Sequence, residues 1–192
     1  MDLYLIRHTT PNIEKGICYG QTDLDLVENY LEEFKLVHES LTINDEFQVY
    51  SSPLKRCMML ANSFGKTVIT DERLKELNFG SWEMTLWDKI PEHELTPWMN
   101  DFVNIKVPSG ESYLDLAERV QQFFNQIHKT HHDATCIIIT HAGPMRALLA
   151  NLLNLSLEDS FKIKIDYGAV FKISKTTAGY RITPEINLQE PS

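Results

Sequence analysis

The sequence predicts a three-layer α/β/α sandwich built on a mostly parallel central sheet. Two observations carry that expectation. Short apolar runs alternate with amphipathic stretches along most of the chain, and the most apolar run, Thr135 to Thr140, sits far from either end, as a central strand would. A chain of 192 residues with 43% hydrophobic residues is long enough to bury the core of one such domain, so 1–192 is read as a single unit.

The elements follow in order. Asp2 to His8 is an apolar run ending in Arg7 and His8. An amphipathic helix is expected to start near Leu26 and run through Glu28-Asn29-Tyr30-Leu31 toward Leu41. Phe47 to Pro53 reads as a second strand closed by Ser51-Ser52-Pro53, and the helix after it carries proline in its first turn. Thr67 to Asp71 is a third, short strand. Leu74 to Ser109 is rich in Trp, Pro and Asn with little periodicity, so a lid or cap-like segment is expected at about 77–110. A clear helix follows Ser112, with Leu114, Ala117, Val120, Phe124 and Ile127 expected on its buried stripe. After Thr135 to Thr140 come His141, Ala142 and Gly143, then a helix with Pro144 near its start. Two late strands close the chain, paired as a hairpin around Thr177-Ala178-Gly179.

Charge and composition exclude several classes. A net charge of −9 lacks the basic footprint of a nucleic-acid binder and gives no attraction to anionic membranes. The apolar run at the N-terminus is too short for a signal peptide, and no segment is long enough to span a bilayer. Cys18, Cys57 and Cys136 are widely spaced and odd in number, which speaks for reduced thiols in a cytoplasmic protein. None of them has an arginine six positions on, so the phosphate cradle of a cysteine phosphatase is missing. Gly110-Glu111-Ser112-Tyr113-Leu114 lacks the closing glycine of a serine-hydrolase elbow.

Four places put a chemically capable group at or beside a strand end: Arg7-His8, Arg56, Glu76 and His141. Taken singly, each is as readily structural. Taken together they suit phosphoryl transfer. Two arginines match phosphate oxygens with their planar forks, and the helix N-terminus after His141 favours an anion. Positioning and electrostatics carry most of such catalysis. Either histidine is chemically able to attack phosphorus. Glu76 lies between apolar neighbours, which favour the protonated form that a leaving alcohol requires. No metal or other cofactor is needed.

These residues resemble the signatures of the histidine phosphatase (phosphoglycerate mutase-like) superfamily. Leu5-Ile6-Arg7-His8-Thr9-Thr10 resembles its Arg-His-Gly motif, and Ser51-Ser52-Pro53-Leu54-Lys55-Arg56 its second arginine motif. Leu74 to Gly80 with Trp82-Glu83 is similar to its acid segment, Pro108 to Ser112 to a further element, and Thr140-His141-Ala142-Gly143 to its second histidine motif. The resemblance implies a phosphoglycerate mutase-like fold and a cofactor-independent phosphatase. In it His8 is phosphorylated, Arg7, Arg56 and His141 bind phosphate, and Glu76 donates the proton. It also places Asn12, Gln21, Thr22 and Ala142 against the substrate. A small phosphorylated metabolite is the implied partner; the oligomeric state is not read.

Two departures stand out. The asparagine that many relatives carry six residues after the nucleophile falls at Glu14, leaving Asn12 as a near substitute, and Thr9 stands where glycine is usual. If position 9 needs φ > 0, a β-branched residue is strained there; if it supplies only a carbonyl to His8, threonine serves. The Arg-His-Thr form with Lys15 to Asp23 resembles α-ribazole phosphatases, which remove phosphate from α-ribazole 5′-phosphate or its cobamide-linked form.

The alternatives are a broad-specificity sugar phosphatase, a mutase and a non-catalytic binding module. Mutase relatives carry a longer insertion after the acid segment than Gly80 to Ser109 offers. A magnesium-dependent reading rests on Asp23-Leu24-Asp25-Leu26-Val27, which follows a loop instead of the strand that chemistry requires. His128, His131 and His132 have helical spacing but read as a solvated helix end. Arg146 is expected to support the pocket by pairing. Trp82, Trp87 and Trp98 are expected in the pocket wall.

Overall fold

A computed structural model describes residues 2–44, 46–131, 134–177, 179–186 and 188. The elements are β1 (Asp2–Arg7), α1 (Tyr30–Glu39), β2 (Phe47–Ser51), α2 (Lys55–Asn62), β3 (Val68–Thr70), α3 (Glu92–Asn100), α4 (Tyr113–Thr130), β4 (Thr135–Thr140), α5 (Ala142–Leu153), β5 (Val170–Thr176) and β6 (Gly179–Thr183). The six strands form one sheet in the order β3-β2-β4-β1-β5-β6. The first four of that order run parallel, while β5 and β6 add antiparallel pairings at one side. The mostly parallel sheet is as expected, and so is the late hairpin, where Thr176 faces Gly179; Ala178 at its turn lies outside the described residues.

Strand alternation builds the layers. Leu3 and Leu5 of β1, with Cys136 and Ile138 of β4, enter the core beneath α4 and α5. Tyr4 and Ile6, with Ile137 and Ile139, enter the core that α1 and α2 cover. Both faces of the central strands are therefore buried, which is why Thr135–Thr140 is apolar at every inner position instead of alternating.

Two boundaries differ from the sequence reading. The first helix starts at Tyr30, four residues later than Leu26. Leu26 instead bridges Pro11, and Val27 N–H donates to Thr10, so this stretch is committed to the loop after β1. On α4 the buried face is Tyr113, Leu116, Val120, Phe123, Phe124 and Ile127, with Leu114 left 40% exposed. Tyr113 takes the inner place in the first turn, its hydroxyl 2.9 Å from the buried Ser160 hydroxyl, while Ala117 of the expected stripe still packs against the core. The α4 start itself is well specified: Ser112 and Asp115 form a reciprocal capping box.

The segment at 77–110 has its own small core. Cys18, Trp82, Ile90 and Val107 are buried together, and Trp87, Leu95 and Trp98 pack on them. Of the expected wall tryptophans only Trp87 lines the cavity described below. Trp82 is 2% exposed with its indole N–H donated to Glu94, and Trp98 stacks edge-on against it. Burial of large aromatics inside the segment stabilises the segment itself, which accounts for the difference.

Candidate active site

The register of the parallel pair β1–β4 sets Arg7 opposite Thr140, so the residues that follow, His8 and His141, emerge at one level from neighbouring strand ends. Their ring centroids lie 5.0 Å apart at an interplanar angle of 64°. Carboxyl ends of strands are where open α/β sheets form ligand crevices, and here the order of strands places β1 and β4 at its centre.

The tautomer of His8 is fixed by its neighbour. Nδ1 lies 2.7 Å from the Thr9 carbonyl oxygen, which can only accept, so Nδ1 carries the proton and Nε2 presents a lone pair. Thr9 is not among the non-glycine residues with positive φ, which are Met84, Ser109 and Asn154. Position 9 thus needs a carbonyl and no glycine, and threonine is accommodated without backbone strain. Its hydroxyl is buried and unpartnered.

Arg56 is fully buried on the first turn of α2. Its Nε–H points at His8 Nε2 (3.3 Å), Nη1 donates to the Thr22 carbonyl (2.9 Å), and Nη2 donates to the Gly20 carbonyl. No carboxylate lies within ion-pair distance of it among the described residues. Arg7 is tied through Nη1 to the Ile165 carbonyl (2.8 Å) and covered by the Tyr167 ring, 3.8 Å from guanidinium carbon to ring centroid. Its Nε is buried without a partner. His141 is fully buried, its Nε2 2.8 Å from the Ser52 hydroxyl. Ser52 arrives there because its own N–H extends the β2–β4 ladder to Ile139.

Glu76 closes the opposite side. Its carboxyl accepts from the N–H of Leu77 (2.9 Å) and of Gly143 (3.2 Å), the latter in the first turn of α5. A Cβ on Gly143 would stand 2.2 Å from Glu76 Oε1, so only glycine lets that carboxyl reach the helix N-terminus. Gly143→Ala is expected to displace Glu76 and remove most of an acid–base contribution of about 10²-fold or more. Circular dichroism should show the fold retained, because the displaced atom is the free end of a side chain. Unchanged kcat/KM in this variant would count against the placement.

Of the loop residues, Gln21 and Thr22 reach the site through the chain and not through an open face. Gln21 Nε2 donates to the Glu76 carbonyl (3.0 Å), and the Thr22 hydroxyl donates to Glu83 (2.6 Å). Glu83 also accepts from the N–H groups of Gly20, Gln21, Thr22 and Phe79. Burial pushes its carboxyl upward, but these donors outweigh burial and hold it below the ordinary range. The loop is thereby pinned with the Gly20 and Thr22 carbonyls aimed at Arg56. Gly20 admits no side chain, since a Cβ would sit 1.8 Å from the Leu77 carbonyl oxygen. Asn12 is exposed and joins the fold through its backbone bond to Asp25, away from the residues lining the cavity. Ala142 is buried as the first residue of α5.

Arg7, His8, Glu76, Gly143 and Arg146 line one cavity of about 220 Å³, walled by Ile17, Tyr19, Phe79, Trp87, Tyr113 and Phe161. His141 does not reach its surface. Arg146 donates Nε–H to the Ile163 carbonyl (3.2 Å), its guanidinium 5.1 Å from the Phe161 ring centroid, and it makes no ion pair among the described residues. The support expected of it comes from a backbone carbonyl. A larger groove of about 800 Å³ lies beyond Tyr167 among Tyr4, Glu33, Leu36 and Lys172, and none of the histidines or arginines enters it.

Electrostatics fit a site built for an anion. Burial, then the Arg56 cation, with Arg7 adding to both, hold the two histidines well below the ordinary 6.5. Both rings are neutral near pH 7. The sign for stability follows. An unfolded chain takes up protons near pH 6.5 that the folded rings refuse, so stability is full above that pH and falls as pH drops. The slope should approach about 1.4 kcal/mol per pH unit for each ring. Carboxylates held low, such as Asp71 and Glu83, act only below about pH 4.5. Urea melts at pH 7.5, 6.5 and 5.5 isolate the histidine window, and a flat profile there would contradict buried neutral rings.

The rival chemistries lose their residues. Asp23 accepts from Lys55 N–H (2.7 Å) and Asp25 pairs with the Lys55 ammonium, so both serve the start of α2. Burial pushes the thiols of Cys18 and Cys57 up to about 12 and that of Cys136 to about 11, far from a nucleophilic thiolate. His131 meets the Tyr50 hydroxyl at 2.8 Å and His128 the Tyr180 hydroxyl at 3.1 Å, while His132 lies outside the described residues. No group of three metal-ligating side chains occurs among the described residues.

A three-layer fold with His8, Arg7 and the Glu76 carboxyl on one cavity, and the buried Arg56 and neutral His141 beside His8, defines an α/β enzyme of phosphoryl chemistry. The chain belongs to the histidine phosphatase superfamily (branch 1), whose family model matches residues 3–184. Members are phosphatases and mutases, and this chain is an enzyme of that class. It is 27% identical over 179 residues to a putative phosphoserine phosphatase 2 of Hydrogenobacter thermophilus, covering 89% of this chain and 88% of that one. It is 25% identical over 181 residues to the adenosylcobalamin/alpha-ribazole phosphatase of Escherichia coli K12, covering 88% and 87%. A solved putative alpha-ribazole-5′-P phosphatase of Escherichia coli superposes with a TM-score of 0.85 at 22% identity, covering 100% of this chain and 96% of that one, which shows a shared fold.

Proposed function

We propose that this chain hydrolyses phosphate monoesters through a phosphohistidine on Nε2 of His8. The observation that carries the reading is the asymmetry of the histidine pair: His8 lines the cavity with its Nε2 unprotonated and next to the Arg56 Nε–H, whereas His141 does not line it and has its Nε2 on Ser52. Phosphate oxygens take over the Arg56 Nε–H, the unpartnered Arg7 Nε–H and support from His141. The His8 lone pair then forms the N–P bond while the P–O bond to the alcohol breaks, and Glu76 gives that oxygen its proton. Water attacks the phosphohistidine next, returning a proton to Glu76 as the N–P bond breaks and inorganic phosphate leaves. Hydrolysis is favoured over mutase chemistry by the short segment between Gly80 and Ser109, from which Trp87 lines the cavity.

Rapid acid and base quenching of the enzyme with labelled substrate tests this. A base-stable, acid-labile phosphoenzyme, formed equally with EDTA, is expected. An acid-stable adduct, or turnover abolished by EDTA, would sink it.

For the substrate body, we infer α-ribazole 5′-phosphate or its cobamide-linked form, supported by the aromatic walls Trp87, Phe161 and Phe79, which suit a flat base. A second reading, phosphoserine, is favoured by Arg146, which lines the same cavity, makes no ion pair among the described residues and would suit a carboxylate. Comparing kcat/KM for the two esters decides between them. The free thiols of Cys18, Cys57 and Cys136 support a reducing, cytoplasmic setting, and no helix among the described residues is long and apolar enough to cross a membrane.

A further inference from the structure

The acid segment has no regular secondary structure to hold Glu76. Between the short helical turn Glu72–Leu74 and the next at Gly80–Trp82, the backbone makes no strand or helix bonds of its own. Its carbonyls are instead held by side chains of other elements: Thr140 takes that of Leu74 and Gln21 shares that of Glu76, but one side chain gathers three of them. Arg119, on the second turn of α4, donates Nη1–H to the carbonyls of Arg73 and Lys75 (2.7 Å each) and Nη2–H to the carbonyl of Glu76 (3.0 Å). Its remaining valence goes to Glu111, with Nη2 at 2.6 Å and Nε at 3.1 Å from the two carboxylate oxygens. Glu111 in turn accepts the Asn78 N–H at 3.0 Å. Both side chains are mostly buried, at 18% and 17% exposure. The fork therefore holds the peptide of the acid residue itself, and Glu111 fixes both the fork and the segment two residues on.

We propose that Arg119, braced by Glu111, is the positioning residue that aims Glu76 at the leaving-group oxygen. The geometry assigns it no contact with substrate, since neither residue lines the cavity. It acts on the carboxyl through the Glu76 backbone, while the carboxyl itself is anchored by the N–H groups of Leu77 and Gly143. Five bonds from one rigid planar fork define an orientation that a lysine ammonium, a single point of charge, does not reproduce. This inference rests on the proposed role of Glu76 as general acid.

The test separates aiming from mere support of the fold. For an alkyl phosphate the departing oxygen needs the proton of Glu76. A dinitrophenyl phosphate leaves without it. Because kcat/KM reports the steps up to the first phosphoryl transfer, the later water step does not enter. Arg119→Met is expected to lower kcat/KM for alkyl phosphates by about 10²-fold, the lower end of an acid–base contribution, and for the dinitrophenyl ester by less than about threefold. Arg119→Lys and Glu111→Gln, which keep charge or shape and should fold if Arg119→Met does not, are expected to show the same steepening at smaller amplitude. Equal losses on both esters, or no loss on either, would overturn the proposal. Glu76→Gln is measured beside them. A steep profile there with flat profiles in the Arg119 and Glu111 variants rejects the positioning role alone. A flat profile in Glu76→Gln rejects the acid role, and the positioning role with it.

Discussion

His8→Ala is expected to lose turnover by about 10⁴-fold or more, the scale seen when a covalent nucleophile is deleted, and to form no acid-labile phosphoenzyme. The expectation follows from what no neighbour can replace. The ring keeps a lone pair on Nε2 because Thr9 holds the other nitrogen, and His8 is the histidine that lines the cavity. His141 is 5.0 Å away in ring centroids but turned to Ser52 with no exposure, so it has neither the aim nor the access to take over. His141→Ala should accordingly cost about 10²–10³-fold, as for a lost transition-state donor, and leave the phosphoenzyme detectable. The two variants also differ from the parent in acid. Each removes one buried neutral ring, so each should roughly halve the fall of stability between pH 6.5 and 5.5. Should His8→Ala keep phosphoenzyme while His141→Ala loses it, the roles are reversed.

How far the sequence disclosed this site depends on the range of the contacts involved. Arg7, His8 and His141 were legible because each directly follows an apolar strand, and strand pairing brings strand ends together whatever the loops do. Arg56 was legible from its place one turn into the helix after Ser51-Ser52-Pro53. Glu76 needed the resemblance, for nothing local distinguishes it from a turn glutamate. What stayed hidden is the set of residues that hold these groups still. Glu83 clamps a loop 61 to 63 positions away, Arg119 grips carbonyls more than 40 positions away, and Tyr167 reaches Tyr19 across 148. Such partners have no spacing to read. Asn12, close to His8 in sequence, does not line the cavity: its backbone N–H pairs with Asp25 and its side chain is exposed. Of the expected α4 stripe only Leu114 falls outside the core, where Tyr113 sits instead with its hydroxyl on Ser160, a tertiary contact that periodicity does not contain.

Arg56→Met should reduce kcat/KM by about 10³–10⁵-fold, the range supplied by an arginine on a transferring phosphoryl group. The residue is a buried cation with no carboxylate at ion-pair distance among the described residues: its partners are two loop carbonyls and the neutral His8 ring. That arrangement is costly at rest and becomes favourable when a dianionic phosphate enters, which is the differential binding that catalysis requires. Stability should change far less than rate. The methionine leaves the Gly20 and Thr22 carbonyls without donors, at about 1–3 kcal/mol each, while relieving the desolvated charge, and the two effects oppose. A further consequence runs through the histidines. Arg56 is the largest charge holding both of them low, so its loss should raise their titration toward 6.5 and carry the acid limb of kcat/KM upward with it. Arg56→Lys keeps a charge but not the fork, and should restore the acid limb more fully than the rate. Retention of activity within tenfold in Arg56→Met, or an acid limb that does not move, would mean that the cation is structural and that phosphate is held elsewhere.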